Sequence, residues 1–121
     1  MNHSFILLYV ENPAASAAFY GKLLGRDPIQ SSPTFVMFGL DSGVMLGLWI
    51  RHDVAPAPGG GPGSSEIAFS EPGTDAVHAR CKAWRAAGVR IAQEPTAMDF
   101  GLTFVGLDPD GHRLRVFAPP A

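Results

Sequence analysis

The feature that most constrains the fold is a repeated order of predicted elements on either side of a flexible segment. Residues 55–65, APAPGGGPGSS, combine proline, glycine and serine, which favour neither a helix nor the interior of a sheet. A strand, a helix and further strands are predicted before this segment, and the same order is predicted after it. The sequence therefore predicts two βαβββ modules, residues 1–54 and 66–121, in a single domain of 121 residues.

The first module begins with an apolar strand and a helix and continues with a hairpin. FILLYV is rich in strand formers, and the ENP that follows it favours the start of a helix. Apolar residues then recur at helical spacing until Gly25, a residue suited to ending a helix. The predicted elements are a strand at 5–10, a helix at 14–25, strands at 34–40 and 44–50, and a turn at 41–43.

The second module repeats this order with a more polar helix. Val77, Cys81 and Trp84 recur along one face of that helix, so the helix is predicted to cover a sheet, with Thr74 as its N-cap. The predicted elements are a strand at 66–70, a helix at 74–88 ending at Gly88, strands at 89–92, 102–107 and 112–117, and the turn DPDG at 108–111. The sheet of each module keeps a second, open face, which needs another sheet, a partner chain or a ligand to cover it.

The composition excludes several classes of partner. The chain is 46% apolar and 17% charged and has a formal net charge of -2, so no basic surface is predicted for binding nucleic acid or an anionic membrane. The longest early apolar run is only strand-length and follows no basic region, so we expect a cytoplasmic protein without a signal peptide. Cys81 is the only cysteine, which fits a reducing compartment, and it is predicted to be a packing residue.

Four stretches carry a resemblance to a known family. LLYVENPAASAAFYGKLLG, SSEIAFS, the helix that ends in AAGVRI, and DPDGHRLRVF resemble the vicinal oxygen chelate superfamily of glyoxalases, bleomycin-resistance proteins and dioxygenases. The resemblance implies an α+β fold in which paired βαβββ modules form a cavity, commonly in a homodimer that shares or swaps modules. In the enzymes of the family, that cavity holds a divalent metal ion bound by His, Glu or Gln side chains.

The metal-ligand positions of the family fall on residues that mostly cannot bind a metal. By the resemblance, these positions are Phe5, Gly47, Glu66 and Arg115. Only Glu66 offers a ligand atom, because the first two residues have none and the Arg115 side chain is a permanent cation. A catalytic divalent site needs about three protein ligands, so we expect no metal, no other cofactor and no catalytic residue. The alternative is a metal-dependent glyoxalase, thiol transferase or dioxygenase that uses Glu66, His3 and a further ligand.

The open faces of the predicted strands present a broad, mostly aromatic wall. Trp49 offers a face on which a flat ring can stack, and Gly47, two residues earlier, is predicted to leave space beside it. The alternative is that Trp49 packs in the core. The predicted ligand-binding residues are Phe5, Leu7, Tyr9, Gly47, Trp49, Arg51, Glu66, Met98, Phe100, Arg115 and Phe117.

Two features of the second module are predicted to contribute to this site. Glu66 and Arg115 occupy former metal-ligand positions, so the guanidinium is predicted to stand in for the metal and neutralise the carboxylate. Alternatively, the pair is a structural salt bridge. The stretch 94–104, EPTAMDFGLTF, is predicted to be a loop that closes over the cavity with Met98 and Phe100. Alternatively, Phe100 only plugs the edge of the module.

Within the superfamily, the sequence resembles most closely the phenazine-antibiotic resistance proteins. The similarity lies in LLYVEN, the FY pair, LW at 48–49, SEI at 65–67, the tryptophan of the second helix, EPTAMDFGLTF and DPDGHRLRV. It implies non-catalytic binding and sequestration of a small planar aromatic compound by a homodimer, with resistance to a phenazine- or bleomycin-type antibiotic as the function. A third hypothesis is metal-free catalysis with Glu66 as the base. The chain contains neither a GxSxG nor a GK[ST] motif.

Overall fold

The computed structural model describes residues 5–120, which fold into two compact units. Unit 1 ends at Gly59 and unit 2 begins at Gly60, so the boundary lies inside the segment at 55–65. Within the described residues, each unit contains one α-helix and one four-stranded sheet. The prediction that the two modules belong to a single domain stays a prediction.

Unit 1 has the predicted order of elements. It consists of β1 (Phe5–Val10), α1 (Pro13–Leu24), β2 (Gln30–Ser31), β3 (Phe35–Gly39) and β4 (Met45–Ile50), followed by a 3-10 turn at Arg51–Asp53. The strand order is β1-β4-β3-β2, in which β1 is parallel to β4 and the other neighbours are antiparallel. The predicted hairpin is therefore confirmed. β2 was not predicted, because two exposed residues leave no apolar pattern to read.

Local sequence determines where α1 begins and ends. The Asn12 side chain accepts a hydrogen bond from the backbone N–H of Ala15 at 3.1 Å, and Gly25 ends the helix with a left-handed φ of 66°. The helix contacts β3 and β4 and buries Ser16 and Tyr20. On the sheet, the buried apolar residues are Val10, Val36, Phe38, Leu46 and Leu48. These side chains face α1 and form the core of unit 1. Burial of each large apolar side chain stabilises the fold by about 1.5 to 3 kcal/mol.

Unit 2 repeats the same order, and its second and third strands are longer than those of unit 1. It consists of β5 (Glu66–Ser70), α2 (Thr74–Ala86), β6 (Arg90–Met98), β7 (Gly101–Leu107) and β8 (Arg113–Ala118). The strand order is β5-β8-β7-β6, in which β5 is parallel to β8 and the other neighbours are antiparallel. Two four-stranded mixed sheets, each with one helix, confirm the predicted α+β class and the repeated βαβββ modules.

The helix of unit 2 covers its sheet with the predicted face. Val77, Cys81 and Trp84 are buried, and the Trp84 ring meets Phe104 edge-to-face with 5.1 Å between the ring centroids. Gly106 permits this approach, because a Cβ at that position would lie 2.8 Å from a ring carbon of Trp84. The prediction that Thr74 is the N-cap was wrong. Gly73 is the N-cap, and Thr74 is the first residue of the helix.

The predicted loop at 94–104 is a hairpin instead. β6 continues to Met98, and only Asp99 and Phe100 separate it from β7. Pro95 suggested a loop because it cannot donate a ladder hydrogen bond, but β6 is the edge strand, where a missing N–H is tolerated. The pairing of β6 with β7 also shifts register between Gln93 and Thr96, which accommodates Pro95 in a bulge.

The helices of the described residues are too short to cross a membrane. α1 has 12 residues and α2 has 13, and no helix in residues 5–120 combines the length and the apolar character of a membrane span.

Candidate ligand-binding faces

The open face of unit 1 is apolar and partly exposed. Strand register places Leu7 opposite Gly47 and Tyr9 opposite Trp49, with Phe5 at the start of the same row. Phe5 is 58% exposed and Leu7 is 44% exposed, and the Tyr9 and Trp49 rings meet edge-to-face at 6.2 Å. The structure therefore brings five of the predicted ligand-binding residues onto one sheet face.

The space that we expected above Gly47 is filled by its neighbours. A Cβ on this glycine would lie 2.6 Å from a methyl carbon of Leu7 and 2.9 Å from the ring of Phe35. These two side chains lean over the glycine from the adjacent strands, so within unit 1 no slot is left beside Trp49. The reasoning failed because it treated the glycine alone and did not consider Phe35, which the register places diagonally across from it on β3.

Arg51 does not continue the row on β4, as the sequence had suggested. The strand ends at Ile50, and Arg51 begins the 3-10 turn that follows, so the alternation of side chains is lost before this residue. Arg51 instead lines a concave region of about 280 Å³ together with residues at the end of β1 and in the following loop. A second concave region in unit 1, of about 580 Å³, is lined by α1 and the segment after it. Neither contains Trp49.

The centre of the open face of unit 2 is an ion pair. The Nε atom of Arg115 donates to Oε2 of Glu66 at 2.5 Å, with side chains 16% and 32% exposed, respectively. The ion pair expected between the two former metal-ligand positions is therefore present. The two residues lie on neighbouring parallel strands, where Arg115 is paired with Ala68, so the guanidinium extends past a small side chain to reach the carboxylate.

Two polar residues that the sequence did not single out hold the same guanidinium. The Nη1 atom of Arg115 donates to Oε1 of Gln93 and to Oγ1 of Thr103, at 3.2 Å in both cases. Thr103 is fully buried, and its hydroxyl also donates to the carbonyl of Val116 at 2.9 Å. Alternation along β7 was a signal that could have identified Thr103. Alternation could not have predicted that Gln93 points to this face, because β6 has a register shift on each side of that residue.

Aromatic side chains flank this polar centre. The guanidinium carbon of Arg115 lies 5.6 Å from the centroid of the Phe100 ring, a cation–π distance, and Phe100 meets Phe117 edge-to-face at 6.1 Å. Met98 accepts a hydrogen bond from the Gln93 amide through its sulfur at 3.5 Å. Met98 and Phe100 remain 45% and 43% exposed at the tip of the β6–β7 hairpin. Unit 2 thus brings together the other five predicted ligand-binding residues.

The residues at the former metal-ligand positions do not fit a divalent ion. Phe5 and Gly47 have no ligand atom, and the Glu66 carboxylate is bound by the Arg115 cation, which repels a second positive charge. His3, the residue invoked for the alternative metal site, lies outside the described residues. The expectation of no metal stays a prediction.

A different cluster has metal-ligand residue types but serves a turn. Within residues 5–120, Asp108, Asp110 and His112 place one ligand atom each within 4.8 Å of one another. Oδ1 of Asp108 accepts hydrogen bonds from the backbone N–H groups of Asp110 at 3.0 Å and His112 at 2.8 Å. The buried carboxylate therefore closes the DPDG turn before β8.

Cys81 has the properties of a packing residue, as predicted. It is 2% exposed and free of any disulfide, and burial raises the pKa of its thiol, with a smaller opposing effect from Arg85. The thiol is therefore protonated at neutral pH, and its reactive thiolate form is suppressed.

The repeated modules and the two open faces define a member of a known superfamily. The model of the Glyoxalase/Bleomycin resistance protein/Dioxygenase superfamily matches residues 2–116, and the chain belongs to this superfamily. The predicted resemblance is confirmed.

Several proteins are similar to this chain over most of its length. The phenazine antibiotic resistance protein EhpR of Enterobacter agglomerans is 29% identical over 113 residues, which cover 91% of this chain and 86% of that protein. The solution NMR structure of protein ATC0852 from Agrobacterium tumefaciens is 48% identical, covers 100% of both chains and has a TM-score of 0.90. The crystal structure of a glyoxalase-related enzyme from Fulvimarina pelagi is 27% identical, with a TM-score of 0.84 and coverage of 99% of this chain and 89% of that one.

Proposed function

We propose that this chain binds and sequesters a small planar aromatic compound without transforming it, and that it thereby confers resistance to an antibiotic of the phenazine or bleomycin type. The observation that carries the proposal is the open face of unit 1. Phe5 and Leu7 are 58% and 44% exposed there, in the same row as the Tyr9–Trp49 pair. Contiguous exposed apolar side chains mark surfaces that a ligand or a partner covers.

The open face of unit 2 supports the same proposal with different chemistry. Phe100 and Phe117 offer ring faces and edges, and Met98 is an adaptable apolar contact. Arg115 supplies a hydrogen-bond donor among these apolar groups. Ligand sites typically combine a mostly apolar lining with a few fixed polar groups, and the open face of unit 2 supplies both by itself.

The similarity to a phenazine antibiotic resistance protein supports a flat, ring-fused ligand. Sequestration is favoured over metal-dependent catalysis because the Arg115 cation binds Oε2 of Glu66 and repels a metal ion from this carboxylate. We further propose that the protein acts as a homodimer in the cytoplasm, as the family resemblance and the sequence predicted.

Titration calorimetry with a panel of phenazines, quinones and bleomycin-type glycopeptides tests this function. We expect binding heat from at least one flat aromatic compound. Trp49→Leu should weaken that binding at least about tenfold, or about 1.4 kcal/mol, because stacking and apolar contact are lost together. Trp84→Phe is the matched control: Trp84 lies on the buried side of α2, against the covered face of the sheet of unit 2, so binding should change by less than about twofold.

Two outcomes contradict the proposal. One is the absence of binding heat across the whole panel. The other is a stoichiometric zinc, nickel, manganese or iron ion in protein purified without chelator, which would favour the metal-dependent enzyme.

A further inference from the structure

The guanidinium of Arg115 is fixed in place before any ligand arrives. Its Nε atom is bound to Glu66, and its Nη1 atom is bound to Gln93 and Thr103. Among residues 5–120, no acceptor is recorded for its Nη2 atom, and no donor is recorded for Oε1 of Glu66. One donor and one acceptor of the same ion pair thus remain available on the open face of unit 2.

The Glu66–Arg115 pair is itself neutral overall, and Arg113, which the register pairs with Glu66, adds an exposed positive charge to the same row. A ligand carboxylate that approached Nη2 would be attracted by the guanidinium but repelled by the adjacent Glu66 carboxylate, and it would also lose its hydration. A carboxamide avoids this repulsion, because its carbonyl oxygen can accept from Nη2 while its NH₂ group donates to Oε1 of Glu66. The Glu66–Arg115 pair therefore favours an uncharged substituent that can both accept and donate a hydrogen bond.

We propose that the Glu66–Arg115 pair selects ligands with a neutral, hydrogen-bonding substituent and discriminates against the corresponding carboxylate. Gln93 and Thr103 act as positioning residues, because they hold the plane of the guanidinium and so fix the direction of Nη2. The inference rests on the proposed function and specifies its ligand class: a planar aromatic compound that carries a carboxamide or a similar neutral group.

Three phenazines test this selection: the unsubstituted ring system, a carboxamide, and a carboxylate with its substituent at the same ring position. At pH 7.5 the wild-type protein should bind the carboxamide at least tenfold more tightly than the carboxylate. Glu66→Gln keeps an acceptor oxygen but removes the negative charge. It should raise the affinity for the carboxylate, relative to that for the carboxamide, at least tenfold.

Glu94→Gln is the matched control for this charge change. Glu94 also lies in unit 2 and is also paired with an arginine, Arg85, but both side chains are more than half exposed. Its replacement alters the net charge by the same amount and should leave the preference for the carboxamide unchanged. An equal change of preference in Glu94→Gln would overturn the inference, because it would reflect net charge rather than the ion pair.

The remaining outcomes separate the two proposals. Tighter or equal binding of the carboxylate by the wild-type protein, or an unchanged preference in Glu66→Gln, overturns the selection, while binding of unsubstituted phenazine leaves the proposed function standing. If none of the three phenazines binds, the proposed selection by the ion pair is overturned and the proposed binding function loses support. If Glu66→Gln does not fold, the wild-type comparison alone decides.

Discussion

The two units repeat one order of strands but reverse the sizes of side chains at the centre of their open faces. In unit 1 the central position of the last strand is Gly47, which lies opposite Leu7 and is covered by Leu7 and Phe35. In unit 2 the corresponding position is Arg115, which lies opposite Ala68. The small Gly47 therefore has large neighbours, and the large Arg115 has a small neighbour in Ala68.

The same reversal extends to the third strand of each sheet. Phe35 pairs with Trp49 in unit 1, and Thr103 pairs with Phe117 at the corresponding place in unit 2. The threonine is small enough to leave room for the Arg115 side chain, and its hydroxyl holds the guanidinium at 3.2 Å. Repetition of topology thus fixes where side chains meet, whereas the sizes of a few neighbours decide whether the centre is apolar or polar.

The largest loss of stability is expected from a glycine substitution at the hairpin of unit 2, compared with the same substitution at the hairpin turn of unit 1. Gly101→Ala should destabilise unit 2 by about 3 kcal/mol or more, because φ is 127° and the new Cβ would lie 1.9 Å from the carbonyl oxygen of Ala118. Gly43→Ala is the matched control in unit 1, since φ is 90° but, apart from its two neighbours in the chain, no described residue comes within 4 Å of the new Cβ. We expect about 1 to 2 kcal/mol there, from backbone conformation alone. Urea denaturation measures both, and equal costs would show that the contact with Ala118 is not rigid.

A smaller difference should separate Gly106 and Gly47, two glycines that lie inside strands. In Gly106→Ala the new Cβ meets Trp84 and Val89, which are 6% and 7% exposed and cannot move away. We expect a loss of about 2 to 3 kcal/mol from overpacking. Gly47→Ala meets Leu7, which is 44% exposed, and the half-buried ring of Phe35; both can shift on the open face, so about 1 kcal/mol is expected.

Thermal and urea denaturation of these two variants provide the measurement. A larger loss in Gly47→Ala would mean that the open face of unit 1 is packed as rigidly as the covered face of unit 2, and the contrast between the faces would then fail. Leu7→Ala combined with Gly47→Ala should recover part of the loss, because it removes the nearest contact.

The last contrast compares two ion pairs of unit 2 and starts from a smaller effect than those of Gly101→Ala and Gly106→Ala. Arg115→Met should destabilise the protein by about 1 to 2 kcal/mol, because it leaves the Glu66 carboxylate without its partner at a site that is partly, not fully, buried. Arg85→Met removes the exposed pair with Glu94 and should leave the unfolding midpoint unchanged within error. A midpoint shift in Arg85→Met as large as that in Arg115→Met would show that burial does not distinguish the two pairs.

Much of the fold could be predicted because local signals and tertiary context agree. The strand at 66–70 was predicted with the bounds that the structure has, and the buried stripe of α2 follows helical spacing. The Glu66–Arg115 pair was also predictable, since strand alternation and the family positions indicated the same two residues.

The failures have a common physical cause, which is that they depend on neighbours distant in sequence. The sequence does not indicate that β6 is a bulged edge strand, and these two features make a strand through Pro95 acceptable. Alternation likewise cannot locate Gln93, because the bulges of β6 change the direction of its side chains. The side chains that fill the space over Gly47 come from two other strands.

The bulged edge strand also bears on how the protein behaves when many copies are concentrated together. A nine-residue strand at a sheet edge would normally offer a continuous row of backbone groups to which a strand from another molecule could add. In β6, Pro95 removes one donor from the row, and the two register shifts twist the backbone out of line. Edge-to-edge polymerisation, the first step toward fibrils, is thereby obstructed on this side of unit 2.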